Sequence, residues 1–111
     1  MKLTTTNIAI VTGPVAKGGK VSVWEDGNST ATFTIMTDAF KRTIGGGMER
    51  ILEFHSISVS NDVFDDLYDL IVEGNYVHVV GQMCSYEKGG KVFKYIRAKQ
   101  CSLLIDSKKI K

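Results

Sequence analysis

Proline is nearly absent: Pro14 is the one example in 111 residues. Cysteine is scarce too, limited to Cys84 and Cys101, which excludes a disulfide-dense secreted scaffold. No stretch approaches the roughly 20 consecutive apolar residues of a membrane-spanning helix. The opening Met1-Lys2-Leu3-Thr4-Thr5-Thr6-Asn7 lacks the apolar run of a signal peptide and the arginine-rich character of a transit peptide. The expected setting is therefore the cytoplasm where the chain is made, with both thiols reduced. Repeats and low-complexity tracts are also missing.

What is present reads as one ordinary globular domain. Hydrophobic residues make up 43% and charged residues 23%, typical of folded proteins. A chain of this size buries roughly two-thirds of its unfolded surface, enough for a core without staples. The expected domain spans residues 1–106, followed by a short basic tail, 107–111. The net charge of +2 hides segregation. Asp62, Asp65, Asp66, Asp69 and Glu73 share one base-free stretch. From Lys88 to Lys111, eight bases face one acid. Such asymmetry points to a polyanionic partner.

Short β segments dominate. Residues 7–11 and 21–24 read as strands separated by a Lys17-Gly18-Gly19-Lys20 turn. Residues 25–28 form a second turn, with Asp26-Gly27 as a hairpin signal. Ala31, Phe33 and Ile35 alternate with Thr30, Thr32 and Thr34, the mark of a half-buried strand over 29–37. Residues 40–48, holding Gly45-Gly46-Gly47, read as a mobile loop, and 49–59 resume strand character. A helix is expected from Asp62, its cap, to a Gly74 stop, with Val63, Leu67, Leu70 and Ile71 on its inner face. Two long strands, 76–86 and 91–104, close on Gly89-Gly90. Three strands, a helix and two strands give an all-β chain with the order of a five-stranded Greek-key OB-fold barrel, the oligonucleotide/oligosaccharide-binding fold.

The last hairpin serves as a ruler. With Gly89 and Gly90 as turn residues, Tyr86 faces Phe93, Cys84 faces Tyr95, Gln82 faces Arg97, Val80 faces Lys99 and His78 faces Cys101. Opposite residues share a face, so aromatics and cations gather on one side. Met83, Ile96, Gly81, Ala98, Val79 and Val77 belong to the core side. A bulge is expected near 99–102, where the pattern breaks. The same register keeps Cys84 and Cys101 too far apart for a disulfide.

Signals for catalysis are thin. His55 and His78 are the only histidines, and no pair of Cys-x-x-Cys motifs supports zinc. Gly45-Gly46-Gly47 lacks the Gly-Lys-Ser/Thr ending of a phosphate loop. The acids from Asp62 onward fit a solvated helix face. No metal, cofactor or enzymatic activity is expected. A basic, aromatic strand surface stands out instead: Tyr86, Phe93 and Tyr95 interleave with Lys88, Lys91, Lys94, Arg97 and Lys99. Covering a core or subunit interface is the alternative role for each ring, but so many charges among them suit a cationic groove with stacking platforms.

These residues resemble the bacterial-type single-stranded DNA-binding protein family from about Thr5 to Asp106. The resemblance rests on 31–38 (Ala-Thr-Phe-Thr-Ile-Met-Thr-Asp), on Glu53-Phe54-His55, and on Glu73-Gly74-Asn75-Tyr76-Val77-His78-Val79-Val80-Gly81-Gln82-Met83. It implies a non-catalytic protein that binds single-stranded DNA largely without sequence preference, in replication, recombination or repair. It implies stacking by Phe40, Phe54 and Tyr86, each a smaller ring than the tryptophan of the best-known members. Ser60 occupies a position where a further aromatic is expected, and Trp24 has no family counterpart. Together with the residue-level reading, the stacking candidates are Phe40, Phe54, Tyr86 and Phe93, then Trp24 and Tyr95. The phosphate-neutralising candidates are Lys41, Arg42, Arg50, Lys88, Lys91, Lys94, Arg97 and Lys99. Family members assemble as tetramers or dimers. The chain ends on a basic Ser107-Lys108-Lys109-Ile110-Lys111 rather than an acidic tip, so recruitment of repair proteins through such a tail is not expected. A phage, mobile-element or primosomal-type short form fits this ending. A primosomal-type adaptor and an RNA-binding protein are the alternative readings.

Overall fold

A computed structural model describes residues 4–109. Residues 1–3 of the expected domain, and Ile110 and Lys111 of the expected tail, lie outside the described residues. In chain order the elements are β1 (Ala9–Val23), β2 (Ser29–Arg42), β3 (Met48–Ser60), α1 (Leu67–Leu70), β4 (Tyr76–Lys88), β5 (Lys91–Ile105) and a 3-10 turn over Ser107–Lys109. The strands close into a barrel in the order β1-β2-β3-β5-β4. All pairings are antiparallel except β3 with β5, which meet in parallel at Ile57–Ile96 and Ser58–Arg97.

The core follows the alternation. Ala31, Phe33 and Ile35 of β2, Ile57 and Val59 of β3, Val77 and Val79 of β4, and Ile96 and Ala98 of β5 are buried. Val11 and Val15 of β1 join them, and α1 adds Leu67 and Leu70. Each buried Val, Leu, Ile or Phe side chain contributes about 1.5–3 kcal/mol on leaving water. Met83, expected inside, is 42% exposed. It lies two residues beyond Gly81, where the pairing of β4 with β1 ends, and its backbone bonds the Asn7 side chain instead.

Several local expectations are corrected. Residues 17–20 are not a turn. β1 runs continuously, pairing with β4 through Pro14 and with β2 from Val15, and its register shifts on either side of Lys17. A bulged bend lets one strand serve two neighbours in a closed sheet. Gly19 has to be small there, because a Cβ would run into the Thr32 carbonyl and Phe33. Residues 40–48 are not a loop either. The β2–β3 ladder extends to Arg42–Met48, leaving a turn over residues 43–47 in which Thr43 N–H donates to the Gly47 carbonyl (2.8 Å).

The helix is a single turn rather than a span from Asp62. Asp66 is the N-cap, its carboxylate accepting from Asp69 N–H (3.1 Å), while Asp62 instead accepts from the Ser60 hydroxyl. Val63, Phe64 and Ile71 pack against the core, so the apolar pattern is real. Gly74 does stop the segment in a left-handed conformation (φ +88). Beyond it Asn75 is fully buried. Its amide donates to the Asp69 and Leu70 carbonyls (2.8 and 3.2 Å) and accepts from the Ser107 N–H and hydroxyl (2.9 and 3.0 Å).

The hairpin ruler holds near its turn: Tyr86–Phe93, Cys84–Tyr95 and Gln82–Arg97 are cross-strand partners. Farther along, Val80 faces Gln100 rather than Lys99, and His78 faces Ser102 rather than Cys101. Lys99 is the extra residue of the bulge. Gly81 sits opposite this kink, where a Cβ would collide with the Arg97 carbonyl. Both cysteines are free.

Candidate nucleic-acid interface

The buried set fixes which face looks outward. On β2 the outward residues are Thr30, Thr32, Thr34, Met36, Asp38, Phe40 and Arg42, and their β3 partners run from Ser60 back through Ser58, Ser56, Phe54, Leu52 and Arg50 to Met48. On the β4–β5 hairpin they are Gln82, Cys84, Tyr86 and Lys88, paired with Arg97, Tyr95, Phe93 and Lys91. The two surfaces adjoin because Ser58 pairs with Arg97.

An open trough of about 970 Å³ lies across this junction. Its floor is Thr32 and Thr34 beside Ser58 and Ser56, with Phe33 and Ile57 beneath. Tyr86, Phe93, Tyr95 and Lys94 border it from the β4–β5 hairpin. Lys17, Lys20 and Trp24 border it from β1 and the β1–β2 turn. The Tyr86 and Phe93 rings are stacked, with centroids 5.3 Å apart and planes at 21°, and Tyr95 is tilted beside Tyr86 at 6.1 Å. Arg97 Nη2 donates to the Tyr95 hydroxyl (3.3 Å). That bond, chiefly, holds the guanidinium above its ordinary pKa.

A second, smaller hollow of about 570 Å³ meets the first at Lys17 and Thr34, which border both. It contains Phe54 and Met36, which face each other across β2 and β3. The rings and lysines therefore line one surface track from Trp24 and the hairpin aromatics to Phe54. A polar hollow of about 650 Å³ opens on the other flank, where Arg97 and Lys99 approach Ser60 and Asp62.

The structure thus gathers Trp24, Tyr86, Phe93, Tyr95 and Lys94, and connects them to Phe54 and Arg97. Other candidates lie apart. Phe40 is 64% exposed and shares the Phe54 face, four residues along β2 from Met36, or about 13 Å at strand rise. Arg42 is farther out on that face. Arg50 pairs with Asp38 at 2.7 Å, an exposed bridge of small energetic weight. Lys41 faces Glu49 on the reverse of the ribbon, because neighbouring residues alternate. Lys88 and Lys91 oppose each other at the hairpin tip.

Lys17 and Lys20 are functional candidates that the sequence reading missed. They flank Gly18-Gly19, and that pair signals a bulge as well as a turn. The floor hydroxyls were missed as well, although the Thr30-x-Thr32-x-Thr34 and Ser56-x-Ser58-x-Ser60 alternation displays them. The histidines are locally engaged, His78 Nδ1 with the Thr12 hydroxyl (2.7 Å) and His55 Nε2 with the Thr37 hydroxyl (2.8 Å). No group of three or more His, Cys, Asp or Glu side chains among the described residues is arranged to hold a metal ion. Burial pushes the Cys101 thiol up to about 11, away from the reactive thiolate range.

A closed five-stranded barrel with a short helix between β3 and β4 is an oligonucleotide/oligosaccharide-binding fold. Solved structures share it. The chain is similar to the SSB of Plasmodium falciparum, solved in complex with ssDNA, at a TM-score of 0.75 and 22% identity, over 94% of this chain and 97% of that one. It is also similar to a deletion mutant of the single-stranded DNA binding protein from Thermus aquaticus, at a TM-score of 0.76 and 16% identity, over 92% of this chain and 52% of that one. At these identities the likeness is one of fold. No protein-family model matches the chain, and no curated protein matches it.

Proposed function

We propose that the protein binds single-stranded DNA without strong sequence preference and catalyses no reaction on it. The observation that carries this reading is the continuous outward track in which Trp24, Tyr86, Phe93, Tyr95 and Phe54 are interspersed with Lys17 and Lys20, with Lys94 at its hairpin border. Rings stack bases of any identity, and ammonium groups neutralise phosphates. The Plasmodium falciparum neighbour, similar along nearly its whole length, was solved with ssDNA, which supports the same ligand for this fold. Protection of single strands during replication, recombination or repair is the corresponding role, in the cytoplasm and as an assembly of two or four copies. Phe40, Arg42, Arg50, Lys88, Lys91, Arg97 and Lys99 extend the contact surface beyond the trough. Lys41, on the reverse of the β2–β3 ribbon, contributes least.

The test is a titration with dT oligomers of several lengths at two salt concentrations, with solution mass measured in parallel and a matched RNA oligomer in competition. Affinity should fall with salt with a log–log slope of about −0.7 per phosphate contact. Salt-independent binding overturns the reading, and preference for the matched RNA oligomer redirects it to RNA.

A further inference from the structure

Trp24 stands on the opposite side of the trough from the hairpin aromatics. In barrel order the β2–β3 floor lies between β1 and β5. Trp24 follows β1, in the turn to β2, whereas Tyr86 and Phe93 belong to the β4–β5 hairpin. All three border the same trough. The indole is tethered, its Nε1–H donating to the Thr30 hydroxyl at 3.4 Å. The facing wall is set by the Tyr86–Phe93 stack. Trp24 is 58% exposed and Tyr86 52% exposed, so neither ring is used up in the core.

Between the walls lie two cross-strand pairs of hydroxyls, Thr32 with Ser58 and Thr34 with Ser56. A hydroxyl rotates to donate or accept as its partner requires. Such a floor meets the edge of any base without selecting among them.

We infer that Trp24 and the Tyr86–Phe93 pair form a two-sided slot for one nucleobase, whose edge rests on this hydroxyl floor. The inference depends on the single-stranded DNA reading and sharpens it. One base is held between rings on both sides, while Phe54 serves a different base on a one-sided surface. Lys17 and Lys20, on the Trp24 side, lie where the adjoining phosphates pass.

A double-mutant cycle tests the slot. Affinities for a labelled dT oligomer and for an abasic oligomer of equal length are measured by anisotropy for the wild type, Trp24→Leu, Tyr86→Leu and the double variant. Thermal melts check that each remains folded. Each single change should weaken dT binding roughly 5- to 150-fold. The double loss should be well short of the product, because both rings act on the same base. Trp24→Phe should restore most of the lost affinity, and the abasic oligomer should bind all variants about equally. Losses that multiply, or equal losses on the abasic strand, overturn the slot while leaving DNA binding intact. A wild type that binds neither strand overturns the slot and the DNA-binding reading together.

Discussion

Lys17 pairs with Thr34 across β1 and β2, and these two residues border both the aromatic trough and the Phe54 hollow. The junction of the proposed path therefore carries a cation on one strand and a hydroxyl on its neighbour. A strand running from one hollow to the other passes them. Lys17→Ala should weaken dT binding at low salt and reduce the log–log salt slope by about 0.7, the share of one phosphate. Titrations at several salt concentrations measure it, and an unchanged slope removes Lys17 from the path.

Phe54 is 60% exposed and faces Met36 rather than the barrel interior. Phe54→Ala should cost about 1–3 kcal/mol of DNA affinity and little thermal stability. Paired binding isotherms and melting curves distinguish this from a packing role, in which the melt rather than the affinity would move.

Asn75 concentrates four hydrogen bonds in a buried position between α1, β4 and Ser107. Asn75→Leu leaves the Asp69 and Leu70 carbonyls and the Ser107 donors without this partner. Each unsatisfied buried group costs about 1–3 kcal/mol. Urea unfolding should show a loss of at least about 2 kcal/mol, and a smaller change means that water or neighbouring groups replace the clasp.

Gly81→Ala places a methyl group against the Arg97 carbonyl at the bulge. Overpacking of this kind costs about 1–3 kcal/mol, or more where backbone is the obstacle. Gly18, with open space around its Cβ direction, is the control: Gly18→Ala should be far milder by the same unfolding measurement.

Cys101 offers a pH test. Burial raises its folded pKa to about 11, above the ordinary thiol value of roughly 8.5. The unfolded chain therefore loses this proton first as pH rises. The stabilisation is complete below the unfolded value and is lost between there and about 11. Removing the thiol with Cys101→Ala should flatten the decline of stability across this alkaline window. Unfolding free energies of both proteins at pH 8 and pH 10.5 provide the comparison.

Local periodicity was enough to place the last hairpin. Gly89-Gly90 sets a short-range register, so Tyr86–Phe93 and Cys84–Tyr95 follow by counting. Counting failed beyond the Lys99 bulge, where one extra residue shifts every later pair. The helix was legible as an apolar pattern but not as a length. Leu67 and Leu70 reach the core within one turn, and nothing requires the flanking residues to continue it.

The sequence by itself determined the alternation of the strands, the shared face of Tyr86, Phe93 and Tyr95, and the separation of acids from bases, because each depends on residues near one another in the chain. Barrel closure decided the rest. It bends β1 at Gly18-Gly19 so that Lys17 and Lys20 turn from an apparent loop into one bank of the trough. It also brings Trp24 to the same trough as a hairpin some sixty residues later. Such proximity arises from which strands are neighbours around the barrel, and no local pattern encodes that.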